Sequence, residues 1–137
     1  VVAPETRSND ERYQMKRALR VNTDFTTKIL DLSENEYEQL RDSVGGLIQP
    51  VDLRPGLTIW VNEEGKLINL PFNVIGTHLW EKCYGATDVI VGDCVFTGNS
   101  NDEGETEELS VPWVVQIQEL AATLRKAYLG EATIVEA

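Results

Sequence analysis

Carboxylates are the most numerous reactive groups in this sequence, with 23 acidic residues. Glu63 and Glu64 are adjacent in VNEEGKL, and two acids are the minimum for a two-carboxylate mechanism. An acid and a base need opposed environments that split their pKa values, whereas neighbouring turn residues diverge into the same solvent. This pair therefore reads as solvated turn carboxylates. The only histidine, His78, stands beside Leu79 and Trp80 in a helical stretch and reads as a packed or surface residue rather than a general base. Residues 98–108, GNSNDEGETEE, hold Asp102, Glu103, Glu105, Glu107 and Glu108. The run suggests calcium, but it lacks the D-x-D-x-D-G spacing and the terminal bidentate Glu of an EF-hand loop. VGG at 44–46 and VGD at 91–93 have neither phosphate-loop spacing, so turn and cap glycines account for both. No catalytic residue, metal site or cofactor is expected, and the chain reads as a protein that is not an enzyme.

Binding is the alternative use of so many acids. With 23 acidic and 12 basic residues the net charge is −11, a surface that phosphate backbones and anionic membranes repel. The same surface favours a basic protein partner, including one that normally grips DNA. Glu34, Glu38 and Asp42 lie along one predicted helix with Arg41 alone opposing them, and together with the carboxylates at 102–108 they could imitate a row of phosphates. A different class of function would use a small-ligand pocket beside Trp60, Asn73 and Trp80. No window approaches the roughly 20 apolar residues that span a bilayer, and no uncleaved secretion signal is expected at the start, which a processed chain would also show. Cys83 and Cys94 have no CxxC spacing, so they are expected as buried free thiols in a reducing cytoplasm.

The elements that would position these groups follow from periodicity. Residues 1–17 read as a flexible arm, with a short helix at Glu11–Arg17, and 131–137 as a tail around one domain at 18–130. ALRVN and TTKILDL alternate as two β segments. Ser33 opens a capping box, SENE, for a helix whose apolar side is Tyr37, Leu40 and Val44 and which ends at Gly45–Gly46. Pro50 puts LIQPVDL on a sheet edge or at a bulge. LTIWV at 57–61 and KLINL at 66–70 read as a hairpin turning at NEEG, with Gly65 in the left-handed position. Asn73 caps the next helix, DVIVGDCVF at 88–96 is a central strand, and 98–108 is an exposed, mobile loop. Ser110 caps a last helix with a stripe of Trp113, Ile117, Leu120, Leu124 and Tyr128, ended by Gly130. The Pro50 edge and this helix could each supply a homodimer surface.

The combination of VGG at 44–46, VNEEGKL at 61–67, LPFN at 70–73 and VGDCVFTG at 91–98 resembles a small family, a domain of unknown function frequent in actinobacteria and their phages and mobile elements. The resemblance spans about 28–98 and implies a small α+β fold and an accessory role of binding host proteins. It supplies no reaction. The expected architecture is α+β: a mixed, mainly antiparallel sheet of four or five strands packed with two to three helices.

Overall fold

The computed structural model describes residues 14–130. Strands β1 (Arg17–Val21), β2 (Thr27–Asp31), β3 (Ile48–Arg54), β4 (Leu57–Asn62) and β5 (Cys94–Thr97) form one sheet of order β2-β1-β5-β4-β3. Every pairing between these strands is antiparallel, so the class is α+β and the sheet is not mixed. Helices α1 (Glu36–Val44), α2 (Val74–Tyr84) and α3 (Val111–Leu129) complete the described elements.

Alternation along the strands divides the interior in two. Leu19, Val21, Ile59, Cys94 and Phe96 point to the face covered by α2 and α3, where they meet Ile75, Leu79, Val114 and Ile117. Ala18 and Val95 point to the other face, against Leu40 of α1 and Leu32 of the turn before it, with Leu30, Ile48 and Trp60 around them. The result is three layers, with α1 alone on one side. β5 is buried at all four positions and lies in the middle, as the apolar run predicts. It is shorter than expected. Gly92 turns the chain with φ 80°, and Val91 makes only an isolated bridge to Phe72, so 88–93 is an approach to the strand and not part of it.

β3 is an edge strand, with a register shift between Asp52 and Arg54. Leu47 O accepts from Glu63 N at 2.8 Å, so odd-numbered residues of β3 face β4 and Ile48, Pro50 and Asp52 turn their main-chain groups outward. Pro50 thus removes a donor from the middle of the free edge, and the Tyr84 hydroxyl covers the outward carbonyl of Asp52. Both features discourage edge-to-edge pairing.

Four local expectations are corrected. Residues 66–70 are not a strand: β4 already has β3 on one edge and β5 on the other, which leaves no ladder to join. The chain turns there instead, with Gly65 N donating to Asn62 O (3.1 Å) and Leu70 N to Gly65 O (3.0 Å), and Leu67 is 82% exposed. Gly65 does not take a left-handed conformation; a Cβ there would lie 2.9 Å from Val91 Cγ2, so close approach is what excludes a side chain. The left-handed residue of this turn is Asn69. Secondly, the capping box at Ser33 does not form. Asp31, ending β2, takes the Ser33 amide at 3.0 Å, and α1 starts after Asn35, whose backbone is left-handed and whose side chain makes no cap. Tyr37 is consequently 56% exposed under Arg41, and Leu40, Ser43 and Val44 face inward. Thirdly, Gln14–Lys16 are irregular and Arg17 opens β1, so the helix expected at Glu11–Arg17 is absent over these residues, and its beginning, like the rest of the arm and the tail at 131–137, lies outside the described residues. Fourthly, Tyr128 is 62% exposed and meets the Phe25 ring at 5.8 Å instead of joining the core; Val114 and Ala121 fill the inward positions of α3.

The two cysteines differ in access. Cys94 is wholly buried, and that burial, followed by the neighbouring Asp93 charge, pushes its thiol above the usual range; Cys83 is only half-buried. A thiol reagent added to the native protein is therefore expected to titrate one cysteine, Cys83, and to titrate both after denaturation. Mass spectrometry of the labelled peptides checks the assignment.

Candidate functional site

Charge is distributed unevenly between the two sides of the sheet. Residues 33–45, which contain α1, carry four acidic groups against Arg41, whereas α2 and α3 together carry two acidic and three basic groups. Glu38 and Asp42 are exposed one turn apart, about 6 Å along the helix. Glu34 is exposed just before Asn35.

Both ends of α1 are prolonged by further acids. At its start, Lys16 Nζ holds Glu36 at 2.8 Å, and the next residue, Arg17, reaches Glu108 at 3.5 Å and donates to Leu109 O at 2.9 Å. These contacts bring segment 98–109, with five acidic residues and no basic one, to the end of the sheet where α1 begins. At the other end, Asn62 Nδ2 donates to Val44 O at 3.1 Å and the chain continues directly into Glu63 and Glu64. Fold and connectivity thus put Glu34, Glu38 and Asp42 on the α1 side, Asp102, Glu103, Glu105, Glu107 and Glu108 past the end of the sheet where α1 begins, and Glu63 and Glu64 past the other end, where Glu63 also borders the Trp80 face.

Segment 98–108 is a built turn rather than an open tether. Asn101 Oδ1 accepts from the amides of Glu103 and Glu105, both at 2.9 Å, and Asn101 Nδ2 donates to the carboxylates of Glu105 (3.2 Å) and Glu107 (3.0 Å). Ser100 and Thr106 bridge its arms. Asn99 anchors it to the sheet by donating to Thr58 Oγ1 at 2.8 Å and accepting from Gly56 N at 2.6 Å. These asparagines organise the acidic side without carrying charge, and neither stands out in sequence except as a turn former.

Four cations of the sheet and its loops are already engaged. Besides Lys16 and Arg17, Arg20 pairs with Asp93 at 3.1 Å and Lys66 with Asp88. Asp88 is held below its usual range, first by the Lys66 hydrogen bond and also by the Val89 amide, against a desolvation cost. Asp31 is also lowered; burial opposes ionisation there, but the amides of Lys16 and Ser33 outweigh it. Glu34, Glu38, Asp42, Glu63, Glu64, Asp102 and Glu103 make no ion pair among the described residues.

Trp60, Asn73 and Trp80 are not brought together. Trp60 lies on the α1 face and donates to Thr97 Oγ1 at 2.8 Å, while Trp80 packs on the α2 face and donates to Thr87 Oγ1 at 2.9 Å. Asn73 is 0% exposed. Its Oδ1 caps α2 by accepting from Gly76 N at 2.9 Å, and its Nδ2 donates to Val21 O (3.1 Å) and Gly92 O (2.9 Å). Both of its amide ends are used in the fold and the side chain is sealed from solvent, so no ligand reaches it. A cavity does exist beside Trp80, without Trp60 or Asn73 in its walls. His78 is half-buried on α2, with no hydrogen-bonded carboxylate or nucleophile among the described residues.

Among the described residues no group of three or more His, Cys, Asp or Glu side chains is placed to hold a metal ion, and no helix is long and apolar enough to cross a membrane. Comparison with curated proteins and with solved structures gives no match. A family match covers residues 15–122, from the approach to β1 to the second half of α3, and on this span the chain belongs to the family described as a domain of unknown function (DUF3846).

Proposed function

We propose that this chain is a non-catalytic accessory protein of a phage or mobile element that binds a basic surface of a host protein, in the host cytoplasm, and modulates it. One observation carries the reading: acidic residues without ion pairs run along the α1 side and past both of its ends, while the α2–α3 side is nearly balanced. Segregated charge of one sign steers association and selects a partner of opposite sign. The sequence resemblance to a mobile-element family supports the host as the source of that partner.

Affinity capture from host lysate tests this, with wild-type bait beside a Glu34→Gln/Glu38→Gln/Asp42→Asn bait. The expected result is a specific protein retained at low salt, released as ionic strength rises, and retained at least several-fold less by the triple variant. Equal retention by both baits, or none by the wild type, contradicts the proposal. These three residues are exposed, so the variant is expected to fold normally.

A narrower version is mimicry of DNA. The geometry that favours it is the continuation of the α1 acids at both ends, since α1 alone offers two helical carboxylates about 6 Å apart, near the separation of successive phosphates on one strand. Competition decides between the versions. A mimic is displaced from the captured partner by duplex DNA, and a binder of some other basic surface is not.

A further inference from the structure

We infer that the cavity beside Trp80 is a binding site for a small hydrophobic monocation, meaning one aromatic ring or branched aliphatic group bearing a single amine. Its volume is about 190 Å³. A dry cavity of roughly 150 Å³ admits benzene, whereas drug-sized ligands and cofactors occupy about 300–1,000 Å³. The space therefore takes one ring and excludes a nucleotide.

One part of a mixed lining, which also includes Gln49 and Asn62, suits an apolar body. Val51 of the edge strand and Ile59 and Val61 of β4 form one wall, Trp80 of α2 another, and Val91 on the approach to β5 a third. The indole is held in place by its Thr87 hydrogen bond and by the Tyr84 ring, 4.8 Å away between centroids. The lining contains none of Glu34, Glu38 and Asp42, the residues altered to test the proposed function, so the two tests fail independently although Glu63 belongs to both readings.

The charged residues of the lining supply the sign. Glu63, Lys66 and Asp88 all border the cavity. Lys66 and Asp88 neutralise each other, which leaves Glu63 as the uncompensated charge. A ligand that buries its ring against Trp80 can place an ammonium at Glu63, with added attraction from the indole face. An anionic ring would meet the same carboxylate and be repelled.

The probes are benzylamine, benzyl alcohol and benzoate, which share a ring and differ in charge. Labelling with 5-fluorotryptophan makes each tryptophan a separate ¹⁹F NMR reporter, with Trp60 across the sheet and Trp113 on α3 as internal controls. The expected result is a saturable shift at Trp80 alone, with benzylamine binding roughly two- to fivefold tighter than benzyl alcohol, the range for one exposed ion pair, and benzoate weakest. Glu63→Gln, at an exposed position, is expected to abolish the preference for the amine while leaving benzyl alcohol binding unchanged. Val51→Phe should fill the space and remove binding of every probe. The inference is overturned by an unsaturable or absent shift at Trp80, by equal shifts at all three tryptophans, or by an amine preference that survives Glu63→Gln.

Discussion

Asn73→Ala is expected to destabilise the domain by about 3–5 kcal/mol, of which the lost helix cap contributes about 1 kcal/mol. The larger part comes from Val21 O and Gly92 O, buried carbonyls that each lose a donor at about 1–3 kcal/mol. At roughly 4 °C per kcal/mol for a domain of this size, the melting temperature should fall by about 10–20 °C. Asn73→Asp separates the two contributions. It keeps the acceptor for Gly76 N but turns a carboxylate oxygen towards two carbonyls, so near neutral pH it should be at least as damaging as alanine. Its deficit should shrink as acid protonates the new carboxyl and restores one donor. Thermal melts of both variants across pH check this, and a melting temperature within a few degrees of wild type would mean that the cap and the β1–β5 anchor do not act through this side chain.

Gly98→Ala is expected to cost about 2–3 kcal/mol, because the added Cβ would sit 2.6 Å from Glu108 O and 3.1 Å from Glu107 O. Both obstacles are backbone, so no rotamer change relieves them. The returning arm of the acidic turn must move, and with it the Gly98 N–Glu107 O bond at 3.0 Å. Hydrogen exchange should therefore rise across 98–109 more than in α2. A uniform rise over the whole chain would show that the glycine matters to the core and not to the turn.

Several of these features were legible in the residues. Pro50 announced an edge or a bulge, LPFN announced a cap, and the apolar DVIVGDCVF run announced a sheet centre, though of that run only its last residues join the strand. The second half of Asn73's role was not legible, since its donors reach β1 and the Gly92 turn, which only the folded topology brings near. KLINL has a strand-like composition, and nothing in it reveals that β4 already has a neighbour on each edge. Ser33 lost its capping role to competition by Asp31, two residues earlier. Strand parity does put Trp60 opposite in direction to Ile59, but which helix covers which face is a tertiary fact, and so the supposed Trp60–Trp80 pocket dissolved while a different cavity appeared beside Trp80 alone. The exposure of the acids was readable from composition. Their gathering around α1 and beyond its two ends was not, because it follows from α1 packing by itself on its face of the sheet.

Carboxylate footprinting of the captured complex, by carbodiimide labelling and mass spectrometry with and without the partner, tests most directly whether the acidic side is the contact. Labelling is expected to fall on binding at Glu34, Glu38, Asp42, Asp102 and Glu103 and to stay constant at Glu81 and Glu119 on the opposite helices. Protection of Glu81 and Glu119, with the α1 carboxylates still freely labelled, would contradict the account.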